Sequence, residues 1–118
     1  MRIAAHPAHD RRLLLAGGAL LLGALLGAPQ TAHAAPVTHT ITIEGMQFSP
    51  ATLEVRVGDT VVWQNKDIVP HNATATNRSF ESPELASGAS WQFKAERKGS
   101  FSYFCTLHPP MQATLVVK

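Results

Sequence analysis

Apolar and polar residues alternate in short runs along most of this chain. Thr40-Ile41-Thr42-Ile43 puts both isoleucines on one face, and Leu53, Val55 and Val57 repeat the two-residue period. Gly58-Asp59 is a turn signal ahead of Thr60-Val61-Val62-Trp63-Gln64, open to a tight hairpin or to a corner between sheets. Trp91, Phe93 and Ala95 alternate with Gln92 and Lys94. Lys98-Gly99 then breaks the chain before Ser100 to Cys105, and Ala113 to Val117 is the last run. No segment after residue 34 carries a helical period; Phe80 to Ser90 has room for one turn, limited by Pro83 and Gly88. Six or seven such strands, rich in β-branched and aromatic residues, predict an all-β fold, an antiparallel sandwich or closed barrel.

The first third reads differently. Arg2, Arg11 and Arg12 precede an apolar run from Leu13 to Ala28, and Ala32-His33-Ala34 follows. A basic start, an apolar middle and an A-x-A site describe a secretory signal peptide, with cleavage expected after Ala34. The run is short against the ~20 apolar residues of a spanning helix, and four glycines interrupt it. The expectation is therefore a cleaved leader at 1–34, a single domain at 35–118, no membrane span after cleavage and a periplasmic location. Arg11-Arg12 leaves the twin-arginine and general export routes both open.

Charge narrows the functional classes. The formal net charge of the whole chain is +2, but residues 35–118 carry equal numbers of acidic and basic side chains. A neutral domain lacks the clustered basic surface that nucleic acid demands, so no nucleic-acid partner is expected. The chain has one cysteine, which excludes an internal disulfide in a compartment that would favour one.

That cysteine opens Cys105-Thr106-Leu107-His108-Pro109-Pro110-Met111, and His71 stands upstream in Pro70-His71-Asn72. A thiolate, two imidazoles and a thioether are the donors of a blue-copper site, in which two His and one Cys hold the ion in a plane and Met is a long axial contact. Phe101, Tyr103 and Cys105 share one face of their strand, so the sulfur points inward if the aromatics do. Pro70, Pro109 and Pro110 stiffen the segments that carry the donors. Taken singly, His39 reads as a surface residue of a strand and Met46 as a core filler.

These residues resemble the cupredoxins, the small blue copper proteins, through Phe48-Ser49-Pro50, Val57-Gly58-Asp59-Thr60-Val61, Trp63-Gln64-Asn65, Pro70-His71-Asn72 and Gly99 to Cys105. The Cys-x2-His-x2-Met spacing is that of the family's amicyanin branch; plastocyanins and pseudoazurins place Met two residues further on. The resemblance implies a Greek-key sandwich and one copper ion held by His71, Cys105 and His108 with Met111 axial. It further implies a monomeric electron carrier whose redox protein partners dock near His108, and a role for Asn72 in tying the two ligand segments together. Leu107 and Pro110 replace a Pro and a Phe of the amicyanin loop, so the docking surface differs in shape. An enzyme is not expected: oxidases and reductases on this fold need further ligands, typically His-x-His pairs, and residues 35–118 hold only His39, His71 and His108. A protein that delivers or buffers copper stays open as the alternative.

Overall fold

Eight strands build two four-stranded sheets. In the computed structural model, which describes Gly27 and residues 34–118, they are β1 (Thr38–Glu44), β2 (Gln47–Ser49), β3 (Thr52–Val55), β4 (Thr60–Asn65), β5 (Thr74–Ala75), β6 (Ser90–Lys94), β7 (Gly99–Cys105) and β8 (His108–Val117). The expected leader lies outside the described residues apart from Gly27 and Ala34. No helix occurs among the described residues, Phe80 to Ser90 included, and none is long and apolar enough to cross a membrane.

One sheet has the order β2-β1-β4-β6 and the other β3-β8-β7-β5. β3 and β4 therefore belong to different sheets, and Gly58-Asp59 turns the corner between them. Val57 falls in that corner, outside the strand its period suggested, and is exposed. The antiparallel pairing expected from short strands holds for β1–β2, β4–β6, β5–β7 and β7–β8. Two pairs run parallel instead, β1 with β4 and β3 with β8. Each is joined by a crossover through the opposite sheet, which is how a sandwich brings parallel strands side by side without helices. The strand count exceeds the expected six or seven because β2 and β5 are only three and two residues long, too short to show a period.

The inward faces are the ones the alternation marks. Ile41, Ile43, Val61, Trp63, Tyr103 and Leu115 are buried between the sheets. Trp63 sits at the centre, edge-on to Tyr103 with ring centroids 5.5 Å apart, and against Phe80 and Trp91. Such offset and T-shaped aromatic contacts add to the area they bury. Met46 departs from its expected core position: it is 41% exposed. Glu44 pairs with Gln47, so Gly45 and Met46 form a two-residue hairpin turn, with φ of 63° and 59°. This is the turn whose twist matches the strands, and its left-handed backbone aims the Met46 side chain outward.

Candidate metal centre

His71, Cys105 and His108 meet at one end of the sandwich. Cys105 is the last residue of β7, reached by the inward parity that also buries Tyr103, and its thiol is fully buried. A register irregularity between Phe104 and Cys105 closes the strand, and Thr106-Leu107 turns the chain so that Cys105 pairs with His108. β8 starts at His108 rather than near Ala113. The segment carrying three donors is thus a two-residue turn continued by strand. Met111 lies three residues along β8, facing inward and 5% exposed.

His71 comes from the connection between β4 and β5. Its backbone bonds both ways with Leu85, N–H to O at 3.1 Å and O from N–H at 2.7 Å, and its ring is fully buried. His71 Nδ1 stands 3.7 Å from Cys105 Sγ, and His108 Nδ1 stands 3.8 Å from the same sulfur. The three donor atoms lie within 4.8 Å of one another. Metal–sulfur and metal–nitrogen bonds of about 2.3 and 2.0–2.1 Å separate the two donors by about 3.8 Å at a trigonal angle, and by about 3.6 Å at a tetrahedral one. Both observed separations are of the size that one ion shared by the three donors would impose. His108 is only half-buried, while Ile68, Val69, Pro70, Leu107, Pro109 and Pro110 around the two ligand segments are exposed.

The two segments are braced to each other. The Asn72 amide N–H donates to Cys105 Sγ at 3.4 Å. Its side chain donates to Thr106 Oγ1 at 2.6 Å and accepts from the Thr106 N–H at 2.9 Å. The tie expected at Asn72 is present. A second brace was not legible in the sequence. Asn65, fully buried at the end of β4, donates to the carbonyls of Val69 and Leu85 and accepts from the Asp67 N–H, each at 2.9 Å. Asp67 then accepts from the Gly45 and Met46 amides and lies 2.8 Å from His71 Nε2. The Met46 amide holds the Asp67 carboxyl below its ordinary range against partial burial, and the Gly45 amide and the His71 ring add to it. Asn65-Lys66-Asp67 reads in isolation only as a turn. An acidic residue four positions before a candidate ligand was the one available signal.

Comparison with known proteins agrees with this geometry. Residues 17–117 match the family described as cupredoxin-like domain. The amicyanin-alpha of Methylorubrum extorquens is 30% identical over 98 residues, which cover 78% of this chain and 82% of that protein. A solved methionine-to-alanine variant of amicyanin in its Cu(I) form superposes with a TM-score of 0.65 at 28% identity, covering 69% of this chain and 82% of the other. A copper-containing nitrite reductase from Thermus scotoductus matches with a TM-score of 0.66 at 26% identity, but the match takes in only 24% of that chain.

Proposed function

The chain belongs to the cupredoxin family, and from that premise we propose that His71, Cys105 and His108, together with the inward-facing Met111, would hold one copper ion. The protein is a blue copper electron carrier. Bound copper supplies the one-electron chemistry, alternating between Cu(II) and Cu(I). The observation that carries this reading is the pair of 3.7 and 3.8 Å separations around one buried thiol.

The side chains do the rest. Cys105 supplies a sulfur shielded from water, and the Asn72 amide steadies its charge. Asn72 and Asn65 hold the two ligand segments in one arrangement, so little has to move when the electron arrives or leaves. His108, half-buried beside the exposed Leu107, Pro109 and Pro110, is the outlet, and the exposed Ile68, Val69 and Pro70 lead into the other histidine, His71. A small apolar rim of this kind suits the brief docking of redox protein partners, whose interfaces lie at the low end of the size range. The protein acts in the periplasm as a monomer, after removal of residues 1–34. On this reading no substrate bond is broken, and what supports it is that residues 35–118 hold only His39 beyond the two histidines assigned to the ion.

Voltammetry of the copper-loaded protein tests the carrier reading. The expected result is a reversible wave of one electron per chain, with copper retained through many cycles. Release of copper on each reduction would identify a delivery protein instead.

A further inference from the structure

We propose that Asp67 is the positioning residue of the copper site: its carboxylate accepts a hydrogen bond from the Nε2–H of His71, which leaves Nδ1 bare toward Cys105, and by its negative charge it favours the oxidised ion. The proposal rests on the copper reading above and deepens it.

The argument starts from the ring. His71 Nε2 lies 2.8 Å from Asp67 Oδ2, and the opposite nitrogen, Nδ1, lies 3.7 Å from Cys105 Sγ. An ionised carboxylate only accepts, and a neutral imidazole has one N–H, so the proton sits on Nε2 and the lone pair on Nδ1. The carboxylate is itself fixed. Its Oδ1 accepts from the Gly45 N–H at 2.7 Å and its Oδ2 from the Met46 N–H at 3.0 Å, while its own amide donates to Asn65. With three further bonds holding Asp67, the ring follows the carboxylate and not the reverse. The β1–β2 turn, more than twenty residues away in sequence, thereby sets the orientation of a buried ligand.

Charge then acts through the ring. A carboxylate on the far nitrogen makes an imidazole more basic and a better donor. Cu(II), with the higher charge, gains more from that than Cu(I), which lowers the reduction potential. Asparagine at position 67 could still accept from Nε2, but its NH2 would then face the Gly45 N–H, donor against donor, and the negative charge would be gone. A residue that merely capped the β1–β2 turn would affect stability and leave the potential alone.

The experiment compares reduction potentials of the copper-loaded wild type, Asp67→Asn and Asp67→Glu. Asp67→Asn is expected to weaken Cu(II) binding more than Cu(I) binding, within the total affinity loss of about 10–100-fold that removal of such a partner causes, and so to raise the potential. Each tenfold step raises a one-electron potential by about 59 mV. Asp67→Glu restores the charge and stays near the wild type. Equal shifts in both variants, or none in either, overturn the proposal. Nitrogen-15 NMR of the metal-free wild type gives an independent reading should Asp67→Asn not fold: the proton is expected on His71 Nε2, and a proton on Nδ1 overturns the proposal. A wild type that gives no blue complex with Cu(II) would defeat the copper reading, while the His71 nitrogen shifts would still decide whether Asp67 orients the ring.

Discussion

Asn72 is where a single side chain holds two segments that are more than thirty residues apart in sequence. Its amide exchanges two bonds with Thr106, and the Thr74 hydroxyl donates to its oxygen at 3.3 Å. Asn72→Ala removes all three while keeping the backbone bond to Cys105. Because these groups are at most partly open to water, the expected loss is about 1–3 kcal/mol, read from urea unfolding. Cys105, His108 and Met111 were legible at this scale because chemistry and spacing coincide in one stretch. Asp67 was not: its partners Gly45 and Met46 are brought to it by a hairpin turn, and nothing in its own neighbourhood records them. Met46 was misread for a related reason. A lone apolar side chain suggests a core, but a two-residue turn dictates its direction.

At the scale of elements, the corner between β3 and β4 is held by Asp59. Its carboxylate accepts from the Val37 N–H at 2.9 Å and the Arg56 N–H at 3.0 Å, and lies 2.9 Å from His39 Nε2. The Val37 and Arg56 amides, and then His39, lower its pKa from 3.8 to about 2. A carboxyl depressed in the folded state contributes stability above its unfolded value and loses it as pH falls through the folded one. Stability is therefore expected to drop between about pH 4 and pH 2, and Asp59→Asn to remove that part of the acid dependence, as followed by denaturant midpoints across this range. His39 is thus a strand residue tied to a corner, 25% exposed in its side chain. Strand positions and inward faces were readable because a two-residue period records them directly. The parallel pairing of β1 with β4 and of β3 with β8 was not, since a strand's neighbour depends on which sheet the chain crosses to at each corner.

At the scale of the whole molecule, residues 34–118 form a small sandwich without a disulfide, with a donor set joining its β4–β5 connection to the β7–β8 turn. An ion bound only by the folded state stabilises it by mass action, by about 2.7 kcal/mol at a free concentration one hundred times the dissociation constant. Copper is thus expected to raise the thermal midpoint in proportion to the logarithm of its free concentration; a midpoint indifferent to copper would contradict this. Export is checked at the same scale: mass spectrometry of the protein recovered from the periplasm is expected to give a chain starting at Ala35. The claim on which all of this depends is tested most directly by titrating the purified metal-free protein with Cu(II) while recording visible absorption. The account predicts an intense blue band at about 600 nm, from charge transfer at a copper–thiolate bond, saturating at one ion per chain and absent from Cys105→Ser. A colourless complex, or a band that survives loss of the Cys105 sulfur, would contradict it.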